Sequence, residues 1–370
     1  MSHELDGRVF VDGSLVDGRV VVSEGRIERV DSTEPSTRER LIVPAFVDVH
    51  VHGGGGSDFA DGDPDSVIEA TRMHARNGTG SLIASVVSSS PDSTMRAIGA
   101  IRQARSLEDP GAAWIAGIHL EGPWISPSRA GAHDRDALRL PDPEELERWL
   151  TASAGVPLYV TLAPELDGAL EVIERFSRRV SFAIGHTDCD YATALDAISR
   201  GARGFTHLFN AMKPLHHREP GPIAAALISE DVRIELIADG VHVHPVVVQL
   251  VTRLAASRCL LVTDAMRAAG CGEGRYRLGT LEVEVRDGEA RLESGALAGS
   301  VLTMAAAVRN MVELAGLPID IVIPMATSKP GSFASLARKG RIQPGFDADL
   351  VVLDERLDVE AVMLRGEWLR

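Results

Sequence analysis

The sequence predicts an α/β protein: a (β/α)8 TIM barrel carrying a small β-sandwich domain formed by both chain termini. Three observations predict it. Eight apolar, β-rich runs alternate with helix-like segments over a stretch of roughly 250 residues, the size of such a barrel. The opening segment "RVFVDGSLVDGRVVVSEGRIERV" is a set of short β runs broken by Asp-Gly and Glu-Gly, which are hairpin signals. The closing segment "DADLVVLDERLDVEAVMLRGEWLR" returns to that style, and chain ends often lie near one another. The expected division is therefore residues 1–43 with 341–370 for the β-sandwich and 44–340 for the barrel.

The barrel runs follow in order: "LIVPAFVDVHVHG" from Leu41, "TGSLIASVVSS" from Thr79, "AWIAGIHLEGP" from Ala113 and "PLYVTLAPE" from Pro157. Then come "VSFAIGHTD" from Val180, "GFTHLFNAM" from Gly204, "RIELIADGVHV" from Arg233 and "CLLVTDAM" from Cys259. Most gaps hold helical segments such as "PDSTMRAIGAIRQARSL" and "DPEELERWLTASA", for which Ser93 and Asp142 are reasonable N-caps. After the eighth run, "SVLTMAAAVRNMVELAG" is amphipathic and reads as the last barrel helix, with a short further helix near Ser332 to Lys339.

Composition narrows the function classes. The chain has 370 residues, 45% hydrophobic and 25% charged, ordinary for a globular protein. With 38 basic against 53 acidic residues the net charge is -15, which argues against nucleic acid and anionic membranes as partners. No apolar run approaches the ~18 residues needed to span a bilayer, and "MSHELDGRVFVDG" does not read as a signal peptide. Cys189, Cys259 and Cys271 are too few for a disulfide framework. A cytoplasmic protein is expected.

Chemistry in a barrel sits at the carboxyl ends of the strands. There the first run carries His50 and His52, which share one face of a strand because side chains alternate. The third ends in His119-Leu120-Glu121, the fifth in His186-Thr187-Asp188, the sixth carries His207, the seventh ends in Asp239-Gly240-Val241-His242, and the eighth in Thr263-Asp264. A single strand histidine is usually a hydrogen-bonded core residue, and Asp264 alone is as readily a helix cap. Neither explanation accounts for recurrence at the same end of six runs in eight. Imidazoles and carboxylates without thiolates suit zinc, iron or a similar divalent metal. The glycines at 53–56 read as clearance beside the histidine pair.

The opening His-x-His, the two later histidines and the late Asp resemble the amidohydrolase superfamily. Within it, "HLEGPW", "GHTD", "THLFNAMKPLHHREPG", "ADGVHVHP" and "LVTDAM" are similar to the deacetylases that act on N-acetylglucosamine 6-phosphate, over nearly the whole chain. The resemblance implies a metal site of Glu121, His186 and His207. With His50 and His52 present it implies a second ion, with Glu121 bridging the two and Asp264 approaching the first, so one or two ions per subunit. It also implies substrate contacts from Ala132, His133, Asn210, Ala211, Arg218, Asp239, His242, Leu297, Ala298 and Gly299. Asp264 is the implied general base and acid in hydrolysis of the acetamide, and His133 a donor to the developing oxyanion. Arg218 is implied to reach the sugar phosphate of a neighbouring subunit, hence a homodimer.

The remaining polar residues read as structural: His3 and His74 solvated, His119 supporting the site, His216 and His217 on the surface, His244 hydrogen-bonded, Cys189 a buried thiol, and Asp58, Asp61, Asp63 and Asp65 a solvated turn. Two rival functions remain. A cyclic-amide hydrolase or deaminase is one, though "PLYVTLAPE" has no Lys to bridge metals. A non-catalytic sugar-phosphate sensor is the other, though no acid/base or ligand position is missing.

Overall fold

The computed structural model describes residues 2–34 and 40–369, so 35–39 and both terminal residues of the expected β-sandwich lie outside the described residues. Eight parallel strands hydrogen-bond in sequence order: β1 Phe46–Val51, β2 Thr79–Val87, β3 Trp114–Glu121, β4 Leu158–Leu162, β5 Ser181–Ile184, β6 Ala202–Phe205, β7 Arg233–Ile237 and β8 Cys259–Val262. The ring closes just past β8, where the Asp264 amide donates to the His50 carbonyl at 2.9 Å and the His52 amide to the Ala265 carbonyl at 2.8 Å. A buried carboxyl fastens the same seam: Asp48 accepts from the Thr263 hydroxyl at 2.5 Å and the His50 amide at 3.2 Å. Burial pushes the Asp48 carboxyl up to about 7 despite those bonds. The strands are buried on both faces, as parallel strands under helices must be, and so read as continuous apolar runs.

The run beginning at Leu41 is two strands, not one. Leu41–Pro44 leaves the barrel and lies in the middle of a seven-stranded sheet from both termini, parallel to Ser2–Val11 and antiparallel to Leu350–Leu353. One face of that sheet, with Val43, Val351 and Val362, joins the barrel core, while Leu5, Val9, Val20, Ile42, Leu350 and Met363 make a separate core on the other. The hairpin signals act as read. Asp12-Gly13 and Glu24-Gly25 occupy two-residue turns with positive φ at all four positions, the geometry whose twist matches the flanking strands.

Several local expectations shift. The helix Pro91–Ser106 is capped by Ser90, whose hydroxyl accepts the Ser93 amide at 3.3 Å, because proline fits the first helical turn. Asp142 caps Pro143–Ser153 as expected. The last barrel helix is Met304–Glu313, and the further helices are Ile319–Ala326 and Ser328–Phe333, earlier than Ser332 to Lys339, since Lys339 instead pairs with Asp347 and Asp349 beside the terminal sheet. A three-stranded sheet of Gly274–Leu278, Leu281–Arg286 and Glu289–Arg291 follows β8 and was not anticipated.

The glycines after His52 make room for the chain itself. Gly53 and Gly54 form a short antiparallel pair with Ser57–Asp58. A Cβ on Gly53 would lie 2.2 Å from the Ser57 carbonyl oxygen, and one on Gly54 2.1 Å from the Met73 side chain. The acidic loop is likewise not simply solvated: Asp58 is buried and caps 59–61, and Asp63 caps Pro64–Arg76. His74 is buried, with Nε2 2.8 Å from the Gly53 carbonyl oxygen, and burial lowers it to about 4. Gly53→Ala should destabilise the fold by about 3 kcal/mol, because the clash is with backbone. Gly56→Ala should cost only about 1 kcal/mol, the left-handed penalty with open space around it. Equal losses of Tm for the two variants would contradict this account of the run.

Candidate metal centre and active site

The strands bring six of the singled-out side chains to one mouth of the barrel. Extended geometry at the end of β1 points both imidazoles inward, with His50 Nε2 3.1 Å from His52 Nε2. Glu121, the last residue of β3, is 3% exposed and stands in the middle. Its carboxylate oxygens lie 2.8 Å from His207 Nε2, 3.1 Å from His186 Nε2, 3.2 Å from His52 Nε2 and 3.6 Å from His50 Nε2. Asp264 Oδ1 is 3.1 Å from His52 Nε2. His186, His207 and Asp264 all have positive φ, as do Phe209 and Ala211. Non-glycine residues adopt that region at a cost of order 1 kcal/mol or more, and such strain gathers at functional sites.

The four imidazoles present Nε2 to the cluster, and their other nitrogens differ in support. His186 Nδ1 donates to the Arg129 carbonyl at 2.8 Å, and His50 Nδ1 to Glu235 at 2.9 Å. Among the described residues His52 Nδ1 and His207 Nδ1 have no partner. Charge is the second part of the fit. Burial alone would drive protons off the histidines, yet Asp264 and Glu121 hold His52 up to about 9 and His50 well above its ordinary value. Conversely, burial raises Asp264, but the charge on His50 and His52 outweighs it and holds the carboxyl down at about 2. The cluster thus attracts positive charge into a buried place, and its nitrogen and oxygen donors fit one or two divalent first-row cations.

His133 stands apart from this set, although it lies close to Glu121 and His186. The Ser88 backbone N–H donates to His133 Nδ1 at 3.1 Å, so the ring proton is on Nε2, which faces Glu121 at 3.3 Å. A protonated Nε2 is a donor and not a ligand. Burial, reinforced by His186, lowers His133 to about 4, so at neutral pH it donates without carrying charge.

Above the cluster is a cavity of about 320 Å³. Ala132, His133, Asn210, Ala211, His242, Leu297 and Gly299 line it together with His52, Glu121, His186, His207 and Asp264. Asp239 lies behind His242, accepting from its Nδ1 at 2.6 Å. Burial opposes charge on both, but the bond keeps His242 above and Asp239 below its usual range. Ala298 is fully buried behind the wall. Arg218 is exposed, 2.7 Å from His217 Nε2, and does not line the cavity of its own chain.

Sequence reasoning missed several contributors. Arg129 and Ser128 line the cavity from the loop before Ala132, and Arg129 also pairs with Asp188 at 2.6 Å. Val87 and Leu278 supply apolar wall, the latter from the sheet after β8. That sheet had a usable signal, Asp287-Gly288, which makes a two-residue turn of the same kind as the opening hairpins. Glu235 and Ser88, which orient His50 and His133, had none.

Residues 41–369 match the Amidohydrolase family. The chain is 38% identical over 375 residues to an N-acetylgalactosamine-6-phosphate deacetylase of Escherichia coli O157:H7, covering 99% of each. It is 35% identical over 366 residues to the N-acetylglucosamine-6-phosphate deacetylase of Bacillus subtilis, covering 95% of this chain and 92% of that one. Its fold is similar to the Mycobacterium smegmatis N-acetyl-D-glucosamine-6-phosphate deacetylase solved with N-acetyl-D-glucosamine-6-phosphate, with a TM-score of 0.94 at 37% identity, covering 100% of this chain and 99% of that one.

Because a cation must displace the extra protons on His50 and His52, divalent-ion binding should release protons and tighten as pH rises, up to about 9 where His52 loses its own. Titration calorimetry in buffers of different ionisation enthalpy measures the release. Affinity that is flat between pH 6 and about 9 would sink this picture of the cluster.

Proposed function

Since the chain belongs to the amidohydrolase family, we propose that it hydrolyses the acetamide of N-acetylglucosamine 6-phosphate, giving glucosamine 6-phosphate and acetate. The observation that carries this reading is the pairing, at one barrel mouth, of a buried imidazole–carboxylate cluster with a neutral donor, His133 Nε2–H, across the same cavity. The metal is zinc, iron or a similar divalent ion, one or two per subunit. Glu121, His186 and His207 would hold the first ion, and His50, His52, Asp264 and a shared Glu121 the second. Such an ion lowers the pKa of water from ~16 towards ~7 and polarises a carbonyl.

The chain's own residues do the rest. Asp264 takes the proton of the attacking water and returns it to the departing nitrogen, which an amide requires because its anion is a very poor leaving group. His133 donates to the carbonyl oxygen as it gains charge. Val87 and Leu278 exclude water from part of the wall. The Ala211 backbone N–H and the Asn210 side-chain amide are donors for the phosphate end, the Asn210 backbone N–H being spent on the His207 carbonyl. The permanently charged fork of Arg218 suits phosphate oxygens from a neighbouring subunit, which makes the working unit a homodimer. Ala132, His242, Leu297 and Gly299 contact the sugar, with Asp239 orienting His242 from behind and Ala298 backing the wall. The catalytic body is 44–340, with 1–43 and 341–370 as the small β domain. Among the described residues no helix is long and apolar enough to cross a membrane, in keeping with a cytoplasmic enzyme.

A second reading, in which the galactosamine epimer is taken as well or instead, is favoured by the 38% identity to an N-acetylgalactosamine-6-phosphate deacetylase. Amine release from both phosphorylated sugars and from plain N-acetylglucosamine, assayed side by side with metal analysis, tests both readings. Strong preference for a phosphate ester is expected, with loss of activity on chelation. Equal turnover of the plain sugar would remove the phosphate assignment of Arg218. His133→Ala should lower kcat by about 10²-fold to 10³-fold, the loss of one oxyanion donor. Asp264→Asn should cost more, because it removes the proton carrier, and a milder effect than that of His133→Ala would exclude Asp264 from that role.

A further inference from the structure

Below the cluster, inside the barrel, a carboxylate has no part in the chemistry derived so far. Glu235 is on β7, 1% exposed. Its Oε2 accepts from His50 Nδ1 at 2.9 Å and from the His207 backbone N–H at 3.2 Å, while Oε1 accepts from the Tyr159 hydroxyl at 2.9 Å. Among the described residues His52 Nδ1 has no partner, so of the β1 pair His50 alone is oriented from behind. The His50 ring is further boxed by His119, whose ring centre lies 4.6 Å away edge-on. His119 is itself held between Ser85 Oγ at 2.9 Å and Thr161 Oγ1 at 2.8 Å.

We propose that Glu235 is the positioning residue of the His50/His52 half of the metal centre. By accepting a hydrogen bond from Nδ1–H it reserves His50 Nε2 for the cluster, and by accepting one from the His207 backbone N–H it ties that half to the His186/His207 half. The inference rests on the metal reading given above. A carboxylate behind a ligating imidazole fixes its tautomer and ring angle and raises its basicity, and losing such a partner costs roughly 10–100-fold in metal affinity. Tyr159 fixes the free oxygen of Glu235 and so the rotamer. A burial of this kind needs its hydrogen bonds, since an unpaired carboxylate in an apolar interior is costly.

The test uses the full chain, stripped by chelation and titrated with zinc against a chromophoric chelator. Glu235→Leu should bind the His50/His52-dependent ion about 10–100-fold more weakly than the wild type, with the Glu121/His186/His207 ion much less affected. Glu235→Gln, whose amide oxygen still accepts from His50, should recover most of that affinity, and His50→Ala should lose the ion. Wild-type binding of both ions by Glu235→Leu would overturn the role of Glu235 and leave the metal centre standing. Equal weakening of both ions in Leu and Gln variants would also overturn it, since that is the signature of a general fold defect. A wild type that takes no ion in either half would bring down the metal reading, and this inference with it. Should Glu235→Leu not fold, Glu235→Ala removes the same acceptor in the same titration, and wild-type affinity for the His50/His52 ion in that variant would be equally decisive against the proposal.

Discussion

Everything at the barrel mouth depends on one buried carboxylate. Glu121 sits where burial alone would neutralise it, and the charge on His50 together with hydrogen bonds from His133, His186 and His207 holds its carboxyl well below the usual range. The dependence is mutual. Without Glu121 and Asp264, the same burial would leave His50 and His52 as ordinary neutral core histidines. The cluster is therefore held together by compensation between groups that are each unfavourable there alone, and it is suited to exchange protons for a cation.

That compensation is possible only because the strand ends are bent to allow it. His186, His207 and Asp264 leave β5, β6 and β8 through the left-handed region. The turn lifts each side chain over the barrel mouth instead of letting it continue along the strand. The barrel supplies the rigidity that holds such strain: its closing seam is made by Asp48, Thr263 and the Asp264 amide, adjacent to the residues it supports. Stability and chemistry thus share the β1–β8 junction, where burial keeps Asp48 near neutral pH.

The orientation of the imidazoles separates two kinds of histidine that look alike in the chain. His133 receives a backbone N–H on Nδ1, which makes Nε2 a donor. His50 and His186 donate from Nδ1–H to Glu235 and to a carbonyl, which reserves Nε2 for a cation. His119 faces the same interior but is closed off by Ser85 and Thr161 on both nitrogens, so it serves packing and polarity below the site.

The barrel, the mixed terminal sheet with its Asp-Gly turns, and the gathering of imidazoles and carboxylates at the strand ends were legible because each has a local cause: alternation, turn stereochemistry and the periodic return of polar residues at the end of an apolar run. The split of Leu41–Pro44 from Phe46–Val51 was hidden, since both halves are equally apolar and only their pairing partners differ. Burial of Asp58 and His74, the tight packing of Gly53 and Gly54, and the sheet that brings Leu278 over the cavity were hidden too, because neighbours distant in sequence decide them. The chain alone determined which side chains are available and at which end of which strand, because covalent order and strand periodicity are local. Tertiary structure decided which nitrogen carries each proton and that Glu235 stands behind His50, because hydrogen-bond partners 185 residues apart meet only once the barrel has closed.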